Sequence, residues 1–256
     1  MTVELIAADR HTEAERIPTV LRRLAEVQET ADAQPLGRRD GLACFNYLYR
    51  KITSEVQGDY LDGRFSSGDY ITRLDVAFAN RYLRAIDAGA DLAPAPWRCL
   101  LDARDDRRIS PLAFAVVGVS AHVNYDLAFA VVETAAEMDL TSLDHYDDYQ
   151  HLNQIFFREM RRLRQHFEDS EERQFERALG LTTLENLLGD LVVVVARWLA
   201  WRKAQRLWAE RAAAGADQAL DNSTARSVGT FNRAVFTLDR TVRHSFTALL
   251  SKVGWA

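Results

Sequence analysis

SPLAFAVVGVSAHVNYDLAFAVVETAAEMDL, Ser110 to Leu140, is the stretch that decides the fold. Ser110 followed by Pro111 is a helix start. The serine hydroxyl caps an early backbone N–H, and proline suits the first helical position. Beyond it the residues are apolar on almost every helical face, with Gly118 as a point where the helix can bend. A helix apolar all round belongs at the centre of a large soluble fold or in a membrane. The predicted helix runs from about 110 to 138 and reaches about 45 Å. Its middle carries His122, Asn124 and Asp126, groups that are costly to bury unless paired, hydrogen-bonded or bound to a metal.

Outward from this helix the pattern stays helical. All five prolines lie at or before Pro111. Proline is the strongest helix breaker, so its absence from the second half argues for helix there. No sustained period-2 run is bounded by turn residues. Helices are predicted over 17–29, 42–56, 69–87 with Gly89 as C-cap, 184–212 and 224–250. Thr141 to Asp144 reads as a capping box opening another that runs to about 167, and Gly180 as a break before the next. Asp91 to Arg108, with Pro94 and Pro96, and 213–221 read as irregular. Trp198, Trp201 and Trp208 read as one packed stripe. The expected fold is all-α, a single domain over 1–256, a bundle of about eight helices around the long buried one.

Composition removes several function classes. Of 256 residues, 27% are charged and the net charge is −5, so no basic surface recommends nucleic acid or anionic lipid. Cys44 and Cys99 are too few for a disulfide framework. The N-terminus has no apolar signal core. His122, Asn124 and Asp126 interrupt the apolar run at 112–132, which argues against a membrane span. A cytoplasmic location is expected, and the apolar content leaves homodimerisation open. There is no GxGxxG, P-loop, GxSxG or HExxH motif.

The chemistry is concentrated in the central helix. His122 and Asp126, four apart, share a face, and Glu133 and Glu137 roughly continue it. Asp148 and His151, three apart, share a face of the next helix. A short connection makes the two helices antiparallel neighbours. Facing carboxylate–imidazole pairs are how helical bundles build metal sites. His122, Asp126, Asp148 and His151 are therefore candidate ligands for one divalent metal, Zn, Fe or Mn, with Asp75 as a further carboxylate. Without a metal, the pair can serve as an acid–base dyad, because the carboxylate fixes the imidazole tautomer. It can also simply tie helices together. Asn46, Tyr47, Asn80, Tyr125 and Asn153 are candidates to line a substrate cavity, with Asn124 beside the catalytic pair.

FNYLYRKITSEV (45–56), LDVAFANRYLRAIDA (74–88), RISPLAFAVVGVSAHVNYDLAFAVV (108–132) and DYQHLNQIF (148–156) together resemble a bacterial α-helical group, domain of unknown function 5995. The most specific piece is A-H-[IV]-N-x-D-L, here Ala121 to Leu127. The chain departs from the pattern at Tyr125, where a basic residue is common, and at Ala128, where a proline is. The resemblance implies a fold unit and a special segment, not a reaction. A looser likeness is to zinc-dependent phospholipase C and related helical nucleases, which use H-x-x-x-D on a buried helix. His122 to Asp126 is similar to that first part, but no histidine follows until His145. The leading expectation is an enzyme acting on a small, partly apolar metabolite between the helices, metal-assisted or metal-free, as in a cyclisation or isomerisation of specialised metabolism. The alternative is a non-catalytic binding or scaffold protein.

Overall fold

The computed structural model describes residues 16–167, 182–210 and 216–253. It is an all-α bundle, with no strand among the described residues. The helices are α1 (Ile17–Asp32), α2 (Gly41–Leu61), α3 (Gly68–Leu92) and α4 (Ala95–Ala103). There follow α5 (Pro111–Glu137), α6 (Tyr146–Phe167), α7 (Thr182–Glu210) and α8 (Ala216–Val253). The predicted central helix is α5. Ser110 caps it, its hydroxyl accepting from the Ala113 N–H at 3.0 Å. Asp239 of α8 accepts from both the Ser110 N–H and its hydroxyl at 2.9 Å, which pins the last helix to the start of the central one.

α5 packs against α2, α3, α7 and α8. By length and composition it could cross a membrane, but 78% of its most apolar window is buried inside the bundle. The core divides around it. One part holds Phe45, Tyr82, Trp97, Phe114 and Phe236; the other holds Tyr70, Leu74, Leu127, Tyr149 and Trp201. Burial of such side chains contributes about 1.5–3 kcal/mol each, and the aromatic ones dominate.

Several expectations are corrected. Asp91 to Arg108 is not irregular: α4 occupies Ala95–Ala103, because proline in the first turn is compatible with a helix start and Trp97 and Leu100 give it a buried face. α8 begins at Ala216 rather than Thr224, and α6 at Tyr146, beyond the predicted capping box. Gly118 lies in the first, regular α-helical part of α5. A Cβ there would lie 2.4 Å from the Phe45 ring, so the glycine lets α2 approach. Gly89 does end the regular part of α3, at φ +72°, a backbone that side-chain-bearing residues avoid. Trp201 and Trp208 are buried, but Trp198 is 48% exposed: it lies off their face of α7. Gly180 lies outside the described residues.

Candidate functional site

The irregularity in α5 falls on the polar motif. Ala121–Asp126 is a turn of π-helix, and the Leu127 N–H reaches back five residues to the His122 carbonyl. Such turns are rare and often occur at functional sites. α3, α4, α7 and α8 all pack on this segment.

His122 and Asp126 meet, with His122 Nδ1 3.0 Å from Asp126 Oδ2. Both are 2% exposed. The same oxygen accepts from the Trp97 indole N–H at 2.9 Å, and Arg81 Nε lies 3.5 Å from the other oxygen. Arg81 also pairs with Glu133. The carboxylate is thus held by groups from α3, α4 and α5, and its lone pairs place the imidazole proton on Nδ1. Burial holds the His122 pKa below its ordinary 6.5. Asp126 pulls the other way with less weight, and the Arg81 and Arg197 charges add to the depression. His122 is therefore a neutral imidazole whose Nε2 lone pair meets no hydrogen-bond partner among the described residues.

Aromatic rings box the imidazole. Phe78 stacks on it at 3.4 Å and 5°, and Tyr49 meets it edge-on at 4.5 Å. Phe45, Trp97 and Tyr82 stand 5.7–5.9 Å away. His122, Tyr49, Phe45 and Phe78 line a cavity of about 50 Å³ between α2, α3, α5, α6 and α7. Its other walls include Leu48, Ile52, Leu152, Phe156, Asp75 and Arg197. Asp75 Oδ2 has no hydrogen-bond partner among the described residues, and burial pushes the Asp75 carboxyl up to about 7. Leaving a buried polar atom unpaired costs about 1–3 kcal/mol, so His122 Nε2 and Asp75 Oδ2 in one cavity wall mark a place where something else supplies the partners.

The four residues read as one metal-ligand set are not brought together. Asp148 accepts from the backbone N–H groups of Ser66 and Ser67 at 2.8 and 2.6 Å, at the start of α3. His151 pairs with Asp59 of α2 at 3.1 Å and lies edge-on to Phe65. The shared face of α6 therefore meets the connection between α2 and α3, not the motif of α5. Among the described residues, no three His, Cys, Asp or Glu side chains are placed to share a metal ion. Glu133 and Glu137 are on the outer side, paired with Arg81 and Arg73.

The predicted substrate residues also scatter. Asn46 is a structural tie: its amide donates to the Leu24 carbonyl and Gln28, and its oxygen accepts from Tyr82. Tyr47 lines a separate surface pocket with Lys51, Glu55, Glu159 and Arg162. Asn80 lines a charged groove with Arg73, Arg84 and Glu137. Asn124 donates to the Ser120 hydroxyl at 3.1 Å, and Tyr125 lies against Phe129, away from the cavity. Asn153 comes nearest the site, because its oxygen accepts from Arg197 Nε. Trp97 and Arg197 are the residues that sequence reading missed. A tryptophan just after two prolines was the available signal for the first.

A family model covers residues 17–238, including every residue of this site. The chain belongs to DUF5995, a family of unknown function. No curated protein and no solved structure matches this DUF5995 chain, and no comparison links it to zinc-dependent phospholipase C-like proteins.

Proposed function

We propose that the protein is an enzyme that performs general acid–base chemistry on a small, partly apolar molecule held in the cavity beside His122. The observation that carries this is the unpartnered Nε2 of a neutral imidazole whose Nδ1 is fixed by a carboxylate. That is the arrangement of a general base. Asp75, with a carboxyl near 7, supplies the group whose proton is available at neutral pH. Asp126 holds the tautomer and orientation of His122 and touches no substrate. Its oxygens are engaged by Trp97, His122 and Arg81, so the donor set favours the metal-free form of the reaction. Proton removal and return at neighbouring atoms suits an isomerisation or a cyclisation, and the apolar walls keep water from competing.

The test is to incubate the protein with a cell metabolite extract and follow the small molecules by mass spectrometry. Wild-type protein should deplete at least one compound, and folded His122→Asn should not. If wild type and His122→Asn leave identical extracts, the catalytic reading fails. The two donors and the Arg81 charge that converge on Asp126 would then be a structural knot in a non-catalytic binding or scaffold protein.

A further inference from the structure

Among the described residues, Arg197 sits in the cavity wall without a countercharge. It is 5% exposed. Its Nε donates to Asn153 Oδ1, its Nη2 to the Tyr149 carbonyl at 3.3 Å, and its guanidinium lies 4.6 Å from the Tyr149 ring centroid. All these partners are neutral, and among the described residues no carboxylate pairs with it. Buried arginines are otherwise almost always paired, because an isolated buried charge costs several kcal/mol. The Arg197 charge reaches His122 and helps hold it neutral. The one wall carboxyl, Asp75, is not paired with Arg197 and is largely protonated just below neutral pH. Among the described wall residues the guanidinium is then the one full charge. Size limits the occupant: about 50 Å³ is a third of the roughly 150 Å³ that accommodates a benzene ring, so a carboxylate of five heavy atoms such as propionate fits only as the apolar walls move apart.

We propose that the cavity binds a short-chain monocarboxylate, its carboxylate ion-paired with Arg197 and its alkyl end among Leu48, Phe78 and Phe156. This sharpens, and rests on, the reading of the cavity as a substrate site. Asn153 is then a positioning residue: it holds Nε and so sets the direction in which the rest of the guanidinium fork presents to the anion.

The test is a nuclear magnetic resonance titration of the labelled full chain with sodium propionate and with propionamide, at matched ionic strength. The two probes share shape and differ in charge. Propionate should bind at least about tenfold more tightly, roughly 1.4 kcal/mol, and should shift the Arg197 Nε–H and His122 ring signals. Arg197→Lys should keep the preference in weakened form, and Arg197→Met should abolish it. Should Arg197→Met fail to fold, the propionate–propionamide contrast in the wild-type chain still decides. Equal binding of the two probes, binding of neither, or shifts confined to surface arginines overturns the proposal. His122→Asn separates the two readings. It should still bind propionate in preference, whether or not any metabolite is turned over. Depletion of a neutral compound by a chain that ignores propionate would keep the enzyme and sink the anion site.

Discussion

The Trp97 indole N–H and the His122 imidazole converge on one oxygen of Asp126, at 2.9 and 3.0 Å. Trp97 is therefore part of the site, although it comes from a helix of nine residues outside the central motif. Trp97→Phe keeps most of the ring and removes the donor. It should cost about 1.5–3 kcal/mol in urea denaturation, the range for a hydrogen bond to a charged group. With one donor gone, Asp126 holds its remaining partner harder, so the His122 pKa should rise. Histidine ring shifts against pH measure it, and an unchanged titration would show that Trp97 only packs.

Asp75 and His122 give the stability opposite pH slopes. Asp75 has a folded pKa of about 7 against an ordinary 3.8, so between these values the folded chain keeps a proton that the unfolded chain has released. Its contribution is full below about pH 4 and is lost as pH rises to about 7, at most about 4 kcal/mol. His122 is depressed below 6.5, so its contribution is present above that value and is lost on acidification. Asp75→Asn should match wild type near pH 4 and exceed it near pH 8, as read by urea midpoints. A variant no more stable than wild type at pH 8 would contradict the buried, unpaired carboxyl.

Gly118 is required for the approach of α2 to α5. Gly118→Ala places a methyl about 2.4 Å from Phe45 ring atoms that are part of the box around His122. The expected loss is about 1–3 kcal/mol, typical of overpacking. Thermal melts of Gly118→Ala alone and combined with Phe45→Leu check it: the second change should recover part of the loss.

Asp148 anchors the start of α3 from α6. Asp148→Ala should lower stability by about 1–3 kcal/mol through the two lost N–H partners. The His122 titration should stay where it is in wild type. A shifted His122 titration in this variant would tie Asp148 to the site after all.

Much of the bundle was legible because its signals are local. Ser110-Pro111 opens α5 as read, and the i, i+4 spacing of His122 and Asp126 is a contact that one helix guarantees by itself. What was not legible depended on which neighbour a face meets. Asp148 and His151 do share a face of α6, yet nothing in their spacing says that the face turns toward Asp59 and Ser66. Trp97 was hidden because Pro94 and Pro96 read as breakers when they mark a helix start. Arg197 stood in an apolar run without a motif, and only its neutral partners set it apart. The π turn itself left no trace in composition, since it is a shift of backbone hydrogen bonds and not of residue type.

That shift has a consequence for how the chain can vary. A bond reaching back five residues instead of four stores one surplus residue per turn. The two halves of α5 are therefore out of phase with an uninterrupted rod by about 100°, the rotation of a single α-helical residue. Losing any one residue between 121 and 126 would let the turn relax to ordinary helix and swing Leu127–Glu137 around its axis. Leu127 and Val131 would leave the side they now pack on, while Phe114 and Val117 kept theirs. The motif is thus a phase setter whose length, as much as its chemistry, is under constraint: a one-residue deletion there should be more damaging than most substitutions within it.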